Sequence, residues 1–236
     1  MGSEKRRQHR RLQRGKGGAP FPNPRASRPT YNSRMAIIPE NSDPVALTAQ
    51  ADIHRFYVKV VQPALKEFAP GNDVKGSETT DLEVFLEAAR QNTHNSLCYE
   101  MRRAFALVIG ALFERQLRFW LSGKTSSATK EIEKEKWPAL VERTKTALRT
   151  AVIPEMADLE TLWSVANAVR HGNGTATTKL LTHAPQFWNQ ARRVTKLGWK
   201  SDLVGNLRIS DADLEEYVIA VLRFWRRAGA SQIPIV

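Results

Sequence analysis

A single cysteine, Cys98, leaves no partner for an internal disulfide, which suits a reducing compartment and makes cytoplasm the expected location. It lies in the helical run Leu97-Cys98-Tyr99-Glu100-Met101 and reads as a buried structural thiol rather than a nucleophile. Long apolar runs are also lacking. The longest candidate, Ala104 to Phe113, falls well short of the roughly 18 residues needed to cross a bilayer, so no membrane partner is expected. The N-terminus is charged from Glu4 onward and has no apolar stretch, so no secretory signal is expected.

Several kinds of chemistry lack their residues. The five histidines, His9, His54, His94, His171 and His183, are scattered, and no cysteine pair or HExxH arrangement joins them. Neither a metal nor a cofactor is therefore expected. No GxGxxG follows a strand, and no G-x-S-x-G elbow occurs. Gly15-Lys16-Gly17-Gly18 only superficially resembles a phosphate loop, because no strand precedes it. Strand alternation, internal repeats and sustained heptads are missing as well, which leaves an all-α architecture.

Acidic residues are scarce in one place. Residues 1–34 hold ten Lys or Arg against one acid, Glu4, and so account for +9 of the chain's net charge of +12. Residues 1–43 are rich in Arg, Pro, Gly, Ser and Asn, with almost no aliphatic side chain before Ile37. Such a segment buries too little apolar surface to offset chain entropy, and it reads as a disordered basic arm. Lys5, Arg6, Arg7, Arg10, Arg11 and Arg14 are its candidate phosphate contacts. A solubilising tail, or translation starting at Met35, are the competing readings.

What remains is enough for one helical domain, 44–228, with a short tail, 229–236. Asp43-Pro44 is an N-cap followed by proline at the first helical position. It opens a helix to Phe68 with a bend at Pro63. Pro70-Gly71-Asn72 reads as a turn. Thr80-Asp81-Leu82 starts a second helical region through Leu121, with a possible break at Asn92 to Asn95. Its later half, Met101 to Leu121, is the most apolar helix and should be central to the core. Ala128 to Thr150 is charged and holds Trp137-Pro138, so its first part is a candidate separate turn. Pro154 opens the helix that carries His171. Thr177 to His183 is a candidate short helix, and Phe187 to Leu207 reads as an irregular insert. Ser210-Asp211-Ala212-Asp213 caps a last helix to Arg227, with Leu214, Val218, Val221, Leu222 and Trp225 on its apolar face. The expectation is a bundle of about five helices, with the six tryptophans serving the core.

The most informative segment is Glu160 to Gly174. Leu162, Val165 and Val169 share one helical face, and the run ends in Asn167, Arg170 and His171, followed by Gly172 and Gly174. Asn167 and His171 are i, i+4 neighbours whose side chains can meet. The two glycines stop the helix, so the imidazole is expected at an exposed helix end. The helix dipole favours positive charge there, which also suits a histidine with no chemical task.

Asn167-Ala168-Val169-Arg170-His171-Gly172-Asn173-Gly174 resembles the motif of the HEPN superfamily, and Ile109 to Arg118 looks like the helix that precedes it there. The resemblance covers about residues 80–228, although about 20 residues carry it. It implies a helical bundle from a prokaryotic defence, toxin or phage-conflict system, with RNA as partner. It also implies a homodimer, and leaves room for a protein partner such as an antitoxin or complex subunit. Active members are metal-independent endoribonucleases. Their histidine takes the proton of a ribose 2′-hydroxyl, and their arginine steadies the scissile phosphate. On that pattern His171 and Asn167 match, but Ala166 stands where the arginine belongs. Arg170 is adjacent to His171 but lies about 100° round the helix. Arg115, Arg118, Arg192 and Arg193 are further candidates to meet RNA. Three readings follow: an RNA-binding module without catalysis, a ribonuclease using His171 as general base, and a structural subunit.

Overall fold

The computed structural model describes residues 42–71, 81–125, 129–189 and 202–230. The arm from Lys5 to Arg14, and Arg192 and Arg193, lie outside the described residues, as does most of the Phe187–Leu207 insert. Among the described residues there is no strand. Five α-helices have twelve residues or more: α1 (Pro44–Phe56), α3 (Leu82–Lys124), α5 (Trp137–Leu148), α6 (Met156–His171) and α8 (Asp211–Arg227). Three shorter ones, α2 (Gln62–Glu67), α4 (Thr129–Lys134) and α7 (Thr175–His183), fill in between them. The architecture is the expected all-α bundle.

Local chemistry accounts for most boundaries. Asp43 caps α1, accepting from the N–H groups of Val45 at 2.9 Å and Ala46 at 3.1 Å. The Asp43 N–H donates to the Gly229 carbonyl at 2.8 Å, so both ends of the packed region meet. Pro63 does not simply bend a helix. A π-helical turn, Tyr57–Val61, sits just before it, and the Gln62 N–H reaches back to the Tyr57 carbonyl. Proline offers no N–H and crowds the carbonyl four residues back, and a wider turn relieves that crowding. Ser210 and Asp213 form a reciprocal capping box on α8. Pro138 lies in the first turn of α5, which separates α4 from α5. Pro154 lies in the turn before α6, two residues ahead of its first helical position.

The break expected at Asn92 to Asn95 does not occur: α3 runs unbroken for 43 residues. Asn95 is buried and occupied. Its Oδ1 accepts from the Gly71 N–H at 2.9 Å, and its Nδ2 donates to the Gly71 carbonyl at 3.1 Å. A side chain tied to a neighbouring segment no longer competes for its own helix.

The core forms where α3 meets α1, α6 and α8, with α1 also on α8 and α6 on α7. Phe113 presents its ring at 5.2 Å to Phe224, 5.9 Å to Trp225 and 6.3 Å to Trp137, all edge-on. Trp120, Trp137, Trp188 and Trp225 are buried, and Trp163 stacks on Trp137 at 5.4 Å; Trp199 lies outside the described residues. Cys98 is buried. Two buried arginines of α3 act as internal ties. Arg102 bonds to Asp211 at 2.8 Å and to the Phe68 carbonyl at 3.1 Å. Arg103 bonds to the carbonyls of Gly205 and Leu207 at 3.1 and 2.9 Å.

Candidate functional site

Leu159, Leu162 and Val165 bury one face of α6 and so fix where its polar residues emerge. The helix ends at Gly172, whose φ of +69° falls in the left-handed region that favours glycine. Its N–H donates to the Ala168 carbonyl at 3.0 Å, and its own carbonyl accepts from the Thr177 hydroxyl at 2.6 Å. Gly174 is different: its φ of −150° is extended backbone that any residue adopts, and it precedes α7. Only one of the two glycines is therefore demanded by the turn. Asn173, between them, accepts from the Val204 N–H at 2.8 Å and donates to Asp202 at 3.3 Å, tying the turn to the segment before α8.

The three polar residues at this helix end face different surroundings. Asn167 is half-buried and lines a groove of about 660 Å³ between α6 and α7, with Glu160, Ser164, Lys179 and His183. Arg170 is exposed and lines a hollow of about 360 Å³ against α3, with Arg115, Arg118 and Phe119. His171 is exposed and lines neither. Asn167 and His171 are adjacent turns of one helix, yet no hydrogen bond joins their side chains in the structure.

The position before Asn167 is the most telling. Ala166 is 3% exposed and packs on Gly110 of α3. A methyl group added to Gly110 would lie 2.7 Å from the Ala166 Cβ, closer than carbon atoms pack. The two helix backbones meet here, and no room exists for a guanidinium on this side of α6.

The candidate arginines on α3 also separate. Arg118 is committed to the fold. Its guanidinium donates to Glu114 at 2.7 Å and to the carbonyls of Ile132, Glu133 and Glu135 at 2.5, 3.2 and 2.9 Å. It clasps the link between α4 and α5, and the capacity left for a phosphate is small. Arg115, one turn earlier, is exposed and lines the same hollow as Arg170. The structure thus brings Arg115, Arg118 and Arg170 together and leaves Asn167 on another side of α6.

Sequence reasoning passed over Phe119. It lies off the face made by Phe113, Leu117, Trp120 and Leu121, so a helical projection of α3 would have placed it outside the core. The second role of Asp43 was not readable from its spacing. Its carboxylate meets the Trp120 indole N–H at 3.0 Å and the Lys124 ammonium at 2.7 Å. Burial pushes the pKa of Asp43 up, but Lys124, the Ala46 N–H and Trp120 together hold it below the ordinary carboxylate value.

Among the described residues no group of three or more His, Cys, Asp or Glu side chains comes together as a metal would require. No described helix is long and apolar enough to cross a membrane. Comparison with protein-family models, curated proteins and solved structures finds no match to the chain.

Proposed function

We propose that this chain is an RNA-associated protein of the HEPN-like kind its motif resembles, working in a prokaryotic conflict or defence setting, and that it binds RNA without cutting it. The observation that carries the second half is the burial of Ala166 against Gly110. Cleavage of the kind the resemblance implies needs a cation beside the histidine to steady charge developing on the scissile phosphate. Here that position is packed into the core, Arg118 is engaged by α4 and α5, and Arg170 faces another hollow. Without such a cation, His171 is a general base with no electrophilic partner.

Binding needs less. The ten basic residues of 1–34 supply charge that phosphate backbones attract, with an affinity that falls steeply as salt rises. Exposed Arg170, in the last turn of α6, adds a positive charge on the body. One observation favours a second reading, a metal-independent endoribonuclease: the His171 ring is exposed and, among the described residues, carries no hydrogen bond, as a general base awaiting a substrate would be.

The test is RNA binding by the full chain and by a chain lacking residues 1–34, titrated over a range of salt. Weaker binding with a shallower salt dependence after deletion supports the reading. Absence of RNA binding by the full chain overturns it.

A further inference from the structure

Phe119 is 65% exposed on α3, next to the buried Trp120. A lone exposed aromatic is ordinary on a protein surface, but the surroundings of this one are not. Phe119 walls two hollows at once. One holds Arg170; the other, about 480 Å³, lies against the start of α1 and includes Pro44 and Asp52. Arg115 stands one helical turn before Phe119, on the same face, and lines both hollows as well. Among the described residues, Arg115 and Arg170 have no ion pair or hydrogen bond. The nearest acid on α3, Glu114, is already held by Arg118. The result is an exposed ring that shares a hollow with two guanidinium groups free of partners among the described residues.

A further observation bears on what this surface meets. Pro44 lines the second hollow, so the root of the basic arm stands beside Arg115 and Phe119. Asp43 pins that root, through its N–H to Gly229 and its carboxylate to Trp120 and Lys124. The basic residues of 1–34 precede this point in the chain.

Resting on the RNA-associated reading above, we propose that Phe119, Arg115 and Arg170 form a docking surface for single-stranded RNA. An unpaired base stacks on the Phe119 ring, and the two arginines hold phosphates beside it. Every base has a flat face, so such stacking tolerates any sequence, while a base within a duplex has its faces covered and cannot reach the ring. Asp52 and Glu133 line one hollow each and repel phosphate, so replacing either by its amide tightens binding.

The experiment is fluorescence anisotropy with the full chain and a short labelled oligouridine in EDTA, repeated at several salt concentrations. Phe119→Ala is expected to weaken binding about tenfold with its salt dependence unchanged, since stacking on an aromatic residue carries no counterion release. Phe119→Trp retains wild-type affinity. Arg115→Gln and Arg170→Gln each lower the salt slope by about 0.7, the value for one phosphate contact on a single strand. All three positions are exposed, so unchanged thermal unfolding is expected of the four variants. Wild-type affinity in Phe119→Ala, while the wild-type chain still binds RNA, overturns this surface and leaves the arm as the RNA contact. Equal competition by a duplex of the same length also overturns it. A wild-type dimer that Phe119→Ala dissociates, with RNA affinity unmoved, would make the patch a self-association face instead. Failure of the wild-type chain to bind RNA at all overturns the underlying reading together with the surface.

Discussion

Ala166 of α6 lies against Gly110 of α3 so closely that a single added methyl would collide with it. This contact sets the crossing of the helix that carries His171 on the longest helix of the bundle. Glycine inside a helix usually costs stability relative to alanine, by about 1 kcal/mol. At residue 110 the order should invert, because overpacking a close helix crossing costs about 1–3 kcal/mol. Gly110→Ala is therefore expected to lower the midpoint of urea unfolding. A midpoint raised above wild type would mean the helices part without strain.

Ala166→Arg tests the same contact from the other helix. Restoring the arginine of the resembled motif should not create a ribonuclease. It should force a charge into the core and destabilise the fold by roughly 3 kcal/mol or more. Thermal unfolding and an RNA cleavage assay on the same preparation check both halves. A stable, newly active variant would show that α6 can turn to present residue 166.

Asp43 makes a pH-dependent contribution of known sign. Its folded-state pKa lies below the ordinary value, so the stability it provides is present at neutral pH and is lost as pH falls through the folded pKa. Asp43→Asn keeps part of the cap but loses the charge facing Lys124 and Trp120, at a cost of about 1 kcal/mol near neutrality. The gap in melting temperature between wild type and variant should close as pH falls into the carboxylate range and below. A gap that stays constant down to acid pH would mean that the charge contributes nothing.

Arg118 is expected to behave as a structural residue. Arg118→Met removes donors to three carbonyls and to Glu114, and should cost about 2–3 kcal/mol with little change in RNA affinity at temperatures where the variant is folded. Circular dichroism melts and the anisotropy titration check this. Loss of RNA affinity without loss of stability would reassign the residue.

Much of this fold is legible in short-range signals. The Asp43-Pro44 cap, the Ser210–Asp213 capping box and the apolar spacing of α6 and α8 all act within a few residues, and the helices follow them. What is hidden depends on partners far along the chain. Asn95 reads as a helix breaker until Gly71 occupies it, and Arg118 reads as a surface cation until the carbonyls of residues 132–135 are seen around it. The candidate site divides in the same way. Spacing placed His171 at a helix end, where it is found exposed. Spacing alone could not tell that Asn167 and Arg170 face different hollows, because that depends on which neighbours α6 packs against. The tight turn at Gly172 was readable, whereas Gly174 proved to be extended backbone.

The most direct test of the central claim is incubation of RNA in EDTA with the wild-type chain and with His171→Ala, scoring both binding and the chemistry of any product ends. The account predicts that both proteins bind RNA in a salt-dependent way and that neither shortens it. Fragments ending in 2′,3′-cyclic phosphate, formed by the wild-type chain and absent with His171→Ala, would contradict it and establish His171 as a catalytic base.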